Sequence, residues 1–521
     1  MTPPPYPAAD ASRPWWATRR FVLALVLISA TPLLYPAVPP LVDLFGHMGR
    51  YRVELDLANS PSLQQFYEFR WAMIGNLGVD LLIVPLSKLF GLELAVKLIV
   101  LVIPPMTVAG FLWVAREVHH RLPPTAFFAL PFAYSYPFLF GFVNFTLAMA
   151  LALLAFGFWL RLARLGRERL RAFLFVPISI IVFFTHAFGW GMLGLFCFSA
   201  EAVRLHDRGL AWFKAGLLAA AHASVMLLPL GFMLFWRSGT SAQLTSGWFN
   251  WERKWDWIYS ALRDRYQRFD IATLAIIGCV FLLAFFHRRL ELSRNLVFSA
   301  FVLMIAFALL PWTIFGSAYA DMRIVPYMMA IMVLAIRFKG ERDLHFANAL
   351  AITGLGLFAL RLAGTALSLG TAADAQAAKL AALDHVPVGA RMVTLTGQPC
   401  LWPWALPRDT HLGAMAIVRR HAFSNDQWTV EGANLLRVKY RAAGRFRADP
   451  SQIVLPSTCS VEGLLSADQA LVAVRNYPFD YVWTIDLPPA KPNSFRGLHM
   501  VWQGPGSVLY AVDKPGGQKQ P

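Results

Sequence analysis

Apolar runs of about 20 residues recur along the first two-thirds of the 521-residue chain, each long enough to cross a hydrocarbon core about 30 Å thick. The runs fall near 21–40, 94–115, 124–141, 144–161, 172–187, 188–204, 212–236, 270–287, 295–313, 324–338 and 346–369. Short basic connections separate them. Residues 161–171 hold five arginines, and 204–214, 288–294 and 337–342 each hold three basic residues. Together with the basic stretch 116–121 they mark the cytoplasmic side. The pattern predicts an α-helical polytopic membrane protein with about eleven spans. The odd number sends the C-terminal region out opposite a cytoplasmic N-terminus. Arg13, Arg19 and Arg20 precede the first run, which ends at Pro39-Pro40 without a small-residue cleavage site, so it is expected to be an uncleaved span.

Residues 73–90 are apolar enough to count as another span, but counting them would invert every later loop. The segment 67–90 is therefore expected to lie as a helix at the outer interface, anchored by Trp71 and interrupted by Asn76 and Asp80. The runs 172–187 and 188–204 are short and meet near His186, the pattern of a re-entrant pair. Two outer loops are long. One is 41–92; the other is 237–269, where Trp248, Trp251, Trp255 and Trp257 sit among Arg253, Lys254, Arg263, Arg265 and Arg268. Tryptophan suits the headgroup level and arginine meets phosphates there. From residue 371 the composition turns polar. A helix is expected at 372–383, with strands at 391–395, 479–485 and 507–512. The chain thus divides into a membrane domain, 1–370, and a small C-terminal α/β domain, 371–521, expected in the periplasm.

Composition agrees. The chain is 57% hydrophobic and 15% charged, with a mean hydropathy of +0.50, against about 25% charged in soluble domains. The net charge of +17 resides in loops between apolar runs, and no basic stripe interleaved with stacking aromatics stands out, which argues against nucleic acid. Cys197 and Cys279 lie in apolar runs as packing residues. Cys400 and Cys459 lie in the polar region and can pair if it faces an oxidising compartment.

The candidate chemistry begins just after the first run, in Asp43-Leu-Phe-Gly-His47-Met-Gly-Arg50-Tyr-Arg-Val-Glu54. On a helix, Asp43, His47, Arg50 and Glu54 share one face. A carboxylate beside an imidazole and a guanidinium can take a proton while a cation holds an anionic group. A solvated polar face of an interfacial helix presents the same stripe. Arg323, in Gly316-Ser-Ala-Tyr-Ala-Asp-Met-Arg323, sits at the outer mouth of the tenth run. It reads either as an anchor paired with Asp321 or as a clamp on a lipid-linked phosphate. His186, Arg70 and Asp80 are polar positions in apolar surroundings. Phosphate-binding Gly-rich loops, nucleophile elbows and Cys-x-x-Cys pairs are missing.

These stretches resemble the GT-C superfamily of membrane glycosyltransferases. Asp43-Leu-Phe-Gly-His47-Met-Gly-Arg50 is similar to an Asp-x-x-x-His-x-x-Arg stretch of bacterial members. The segment 67–91 resembles the interfacial segment of protein mannosyltransferases and lipid A aminoarabinose transferases, and 319–323 resembles the late-loop arginine site. The chain departs from the pattern in having Leu44 after Asp43 and no Lys/His-Pro-Pro before Leu89. The resemblance implies an inverting transferase of the bacterial inner membrane, using a polyprenyl-phosphate sugar as donor among membrane lipids. A cell-envelope glycan, lipid or protein would be the acceptor. It implies Asp43 as general base, with His47 and Glu54 orienting it or the acceptor. Arg323, with Arg70, Arg50, Arg253 and His186, would hold the donor. No cofactor is implied outright, and a divalent cation stays open. A flippase of lipid-linked glycans and a non-catalytic assembly subunit remain alternatives.

Overall fold

The computed structural model describes residues 14–237, 245–314, 316–339, 343–401, 403–428 and 434–513. The Pro-rich N-terminus with Arg13, residues 238–244 of the second long loop, and Arg342 lie outside them. Among the described residues, four helices are long and apolar enough to cross a membrane: Leu92–His119, Val143–Arg164, Gln267–Phe286 and Leu344–His385. Arg294–Leu309 and Val325–Leu334 are shorter apolar helices.

Several other expected spans take another form, and proline explains most of the difference. Residues 124–141 are a 3-10 helix, Pro124–Tyr134, followed by the short helix Tyr136–Phe140. Pro124, Pro131 and Pro137 remove backbone donors there, so no regular α-helix can run through. The segment is nonetheless buried almost throughout. The first run is α-helical only over Arg19–Ile28, with a 3-10 turn at Thr31–Leu33 in the Pro-rich stretch that ends at Pro40. The run 212–236 breaks into Trp212–Ala223, Ser224–Met226 and Pro229–Arg237. The pair 172–187 and 188–204 forms two helices, Glu168–Thr185 and Ala187–Asp207, of 18 and 21 residues, which meet at His186 as expected.

The first long loop differs most from its expected form. Its helix begins only at Gly78 and runs to Phe90. Before it, Tyr67–Phe69 is a strand paired antiparallel with Leu436–Val438 of the C-terminal region. Residues 75–77 then run against the turn at His186, where the Leu77 N–H donates to the Phe184 carbonyl and the Ala187 N–H to the Gly75 carbonyl. The backbone of 67–77 is thus bonded to neighbours that lie far off in sequence, and these bonds replace a helical ladder. Leu81, Leu82, Leu89 and Phe90 remain exposed on the helix Gly78–Phe90, the apolar face expected of an interfacial helix.

The C-terminal region is a mixed sheet. Its strand order is Leu465–Ser466, Ile453–Leu455, Met392–Gly397, Tyr481–Ile485, Ser507–Val512, Leu498–Gly504. The first four strands pair parallel and the last two antiparallel. Met392–Thr396 is buried at every position, as befits a central parallel strand. The helix expected at 372–383 is the end of Leu344–Leu380, which passes residue 370 unbroken. Lys379 on that end binds Asp409 and Asp486, and Arg408 binds Asp264 and the Pro40 carbonyl. These ion pairs tie the sheet region to the membrane helices.

Cys400 and Cys459 form a disulfide. Closing a loop with a separation of 59 residues removes chain entropy from the unfolded state, a stabilisation of up to about 4 kcal/mol. Cys400→Ser/Cys459→Ser should therefore unfold its C-terminal region at lower temperature than the wild type. Adding reductant should lower the melting temperature of the wild type and leave that of the variant unchanged.

Candidate functional site

Asp43 sits at the N-terminus of the helix Leu44–Asp56, but its side chain caps no backbone N–H. It is held from behind instead. Its N–H donates to the Phe140 carbonyl at 2.9 Å. Gly141 lies so close that a Cβ there would come within 2.8 Å of the Asp43 nitrogen. Gly141 also has φ +102°, a conformation that glycine alone adopts freely. The carboxyl faces a cavity of about 320 Å³ lined also by His47, Arg50, Asn76, Asn144, His186, Tyr319, Arg323, Trp428 and Asp449.

The polar stripe predicted on this helix is real, with Arg50 buried and Asp43, His47 and Glu54 half-buried, and its members meet different partners. Arg50 is 2% exposed and ion-paired at 2.9 Å with Asp80. Asn144 donates to the same Asp80 oxygen at 3.2 Å and to Asn76 at 2.9 Å, and accepts the Val79 N–H at 2.6 Å. This network joins three elements under the cavity floor. Glu54 lies one turn further on and does not line the cavity. Burial and the neighbouring Asp80 push its carboxyl up to about 9. His47 lies at 5.0 Å from the Trp428 ring, and burial with Arg50 and His411 keeps its imidazole neutral.

Two residues that the sequence did not single out complete the centre. His411 Nε2 lies 3.8 Å from Asp43 and 3.9 Å from Asp449. His411 Nδ1 donates to the Asp426 carbonyl at 3.2 Å, which leaves Nε2 as an acceptor facing both carboxyls. Burial holds this imidazole below its ordinary value, against the pull of Asp449. Asp449 is fixed by Gln452, whose amide donates to it at 2.7 Å, and by its own N–H to the Gln427 carbonyl at 3.1 Å. Burial and the Asp449 charge both raise the Asp43 carboxyl well above the usual carboxylate range, while Arg323 opposes them.

Arg323 does not pair with Asp321. That acid is taken by Lys254 at 3.3 Å, by the Trp257 indole N–H at 3.1 Å and by the Met322 N–H at 3.0 Å. Arg323 stacks over Phe142 at 4.7 Å and donates to Ser317 Oγ at 3.3 Å, with its Nε unpartnered among the described residues. Burial lowers it to about 10, so it remains a cation at neutral pH. Tyr319, at φ 61°, packs against Phe140, Phe142, Trp257 and Trp312 beside it. Such backbone strain persists only where surroundings over-determine it.

Arg323 also lines a second, larger cavity of about 870 Å³ whose walls are mostly apolar, among them Trp190, Met192, Leu195, Leu309 and Pro311. Asn76, His186 and Ser317 belong to both cavities. His186 Nδ1 accepts the Phe188 N–H at 3.1 Å, capping the helix Ala187–Asp207 at this junction. Two expected phosphate ligands are not brought here. Arg70 is exposed and paired with Glu68, and Arg253 stacks on Trp312 at 4.6 Å. Neither lines a cavity with Arg323.

His411 and Asp449 carry no sequence signal, because each lies more than 350 residues from Asp43. One weak signal existed at Gly46 and Gly49. Gly46 lies so close to the Trp428 ring that a Cβ would come within 2.5 Å of it. Small residues on the back of the Asp43 helix thus mark where another element lies flat on it.

No protein-family model matches the chain, and no curated protein matches it. Solved structures do. The crystal structure of ArnT from Cupriavidus metallidurans in the apo state superposes with a TM-score of 0.51 at 13% identity, over 95% of this chain and 98% of that one. The structure of the same protein bound to undecaprenyl phosphate gives a TM-score of 0.45 at 11% identity, over 96% and 100%. This chain therefore shares its overall fold with ArnT from Cupriavidus metallidurans.

Proposed function

We propose that the protein transfers a sugar from a polyprenyl-phosphate donor to an acceptor hydroxyl, with inversion, at the non-cytoplasmic face of the bacterial inner membrane. One observation carries this reading. A buried guanidinium without a carboxylate partner among the described residues, Arg323, stands where an apolar cavity meets a polar one that holds a carboxyl with raised proton affinity. That arrangement suits an amphiphile with a long apolar chain, an anionic head and a reacting group beyond the head. The shared fold supports it.

In the proposed step the acceptor hydroxyl gives its proton to the Asp43 carboxylate, and its oxygen bonds the anomeric carbon. The bond from that carbon to the phosphate oxygen breaks, and its electron pair leaves with the polyprenyl phosphate. The leaving phosphate gains one negative charge, which Arg323 is placed to neutralise. Asp449 makes Asp43 a stronger base by disfavouring its ionised form. His411 Nε2 lies between the two carboxyls as the next acceptor for the proton. The C-terminal region shares the site's face in this reading, and the disulfide supports an oxidising compartment there. A divalent cation is not required by the step. Among the described residues no group of three metal-ligating side chains fits one.

Asp43→Asn keeps the shape and removes the base. With full-length protein in liposomes and a polyprenyl-phosphate sugar, it should lower kcat at least about 100-fold and leave donor binding intact; a wild-type rate would end the assignment. Arg323→Gln should weaken polyprenyl-phosphate binding about tenfold, measured by titration, and unchanged affinity would remove the clamp. The pH profile supplies a third check. Asp43 must be ionised to act, so the rate rises with pH through its raised value, above the ordinary carboxylate range. Asp449→Asn removes the adjacent negative charge, lowers the Asp43 value and should move the rising limb to lower pH. A limb that stays in place or moves up would contradict the coupling.

A further inference from the structure

The donor cavity and the polar cavity share Arg323, Asn76, His186 and Ser317, so the donor side of the centre is accounted for. Asp449 opens on something else. It lines a third cavity of about 360 Å³, walled by residues 444–451, Ile453 and 463–465, which shares no residue with the apolar cavity. The two flanks of the reacting centre thus lead into different compartments. One is mostly apolar and ends at Arg323; the other is of mixed polarity and ends at Asp449.

The rim of the third cavity is cationic. Arg445 and Arg447 line it and are exposed. Neither has a partner among the described residues. From residue 437 to residue 447 the sequence places five basic side chains and no acidic one. None of the lining residues is an exposed large apolar side chain, so the large side chains exposed at its rim are the two arginines. Its wall is also fixed. Gly444 has φ +55°, and a Cβ there would run into the Tyr477 ring. The Ser451 N–H donates to the Ala448 carbonyl, and Asn425 donates to Ser451 Oγ at 3.2 Å.

We infer that this third cavity admits the acceptor, and that the acceptor carries an anionic group, phosphate or carboxylate, close to the hydroxyl that receives the sugar. Arg445 and Arg447 hold the anion at the rim while the hydroxyl reaches the Asp43–Asp449 pair. A guanidinium pair matches either oxyanion in bidentate fashion and rejects a neutral sugar lacking it. The inference rests on the reading of Asp43 as the acceptor's base. It adds the side from which the acceptor comes and the charge it bears.

The test uses detergent-purified full-length protein and isothermal titration with four probes: a hexose 6-phosphate, a hexuronate, the neutral hexose and inorganic phosphate. At least one sugar anion should bind the wild type, and the tighter of the two identifies the preferred oxyanion. Arg445→Gln/Arg447→Gln, two exposed substitutions, should weaken that binding about tenfold, and the neutral hexose should bind neither protein. Equal binding to wild type and variant overturns the inference. So does inorganic phosphate binding as tightly as the sugar phosphate, because the cavity would then recognise an anion and no sugar. Binding and transfer are separate readouts. Transfer that persists while sugar anions ignore the variant defeats this inference alone. Intact binding with no cleavage of any polyprenyl-phosphate sugar defeats the transferase reading, and the acceptor role with it.

Discussion

The site depends on one packing contact, between the helix Leu44–Asp56 and the C-terminal region. Val53, Leu63, Phe66 and Tyr67 from the first outer loop share a hydrophobic cluster with Val393, Leu395, Ile417 and Phe423. Gly46 and Gly49 let Trp428 and Gln427 lie against the helix, where Gln427 donates to the Gly46 carbonyl at 3.1 Å. The strand Tyr67–Phe69 adds backbone bonds to Leu436–Val438. The loop and the C-terminal region therefore pack as one body. Without that contact, His411, Trp428 and Asp449 would have no fixed relation to Asp43.

Charge placement follows from the same packing. Buried ions are tolerated when paired, and an unpaired one is costly. Among the described residues several buried ions meet this rule: Arg50 with Asp80, Arg171 with Glu201, Arg361 with Asp270, Lys254 with Asp321. At the cavity the chain breaks the rule twice. Lys254 and Trp257 occupy Asp321, leaving Arg323 with only Ser317 and aromatic faces among the described residues, and Asp43 stands beside a second carboxyl. A cation and an acid left unsatisfied across one polar cavity are a local cost that a bound anionic amphiphile would offset.

Much of the architecture was legible along the chain. The runs at 94–115, 144–161, 270–287 and 346–369 became long apolar helices, because hydrophobic length alone decides such elements. The strand at 507–512 appeared with the same bounds, and those at 391–395 and 479–485 within two residues, from β-branched and aromatic residues between turns. Residues 124–141 misled, since hydropathy does not register that three prolines preclude an α-helix. Residues 67–77 misled for another reason: their backbone partners, Leu436–Val438 and the His186 turn, are remote in sequence.

The sequence by itself determined the long apolar runs, the polar stripe from Asp43 to Glu54 and the placement of Arg323 beside an apolar run. These follow from local periodicity and from the rarity of charge beside apolar runs. Only the tertiary structure decided which partners each member meets. It assigned Arg50 to Asp80 and Asp321 to Lys254, set Glu54, Arg70 and Arg253 apart, and brought His411 and Asp449 to Asp43. Ion-pair choice and the meeting of side chains 350 residues apart depend on distance in space, which no pattern along a single chain records.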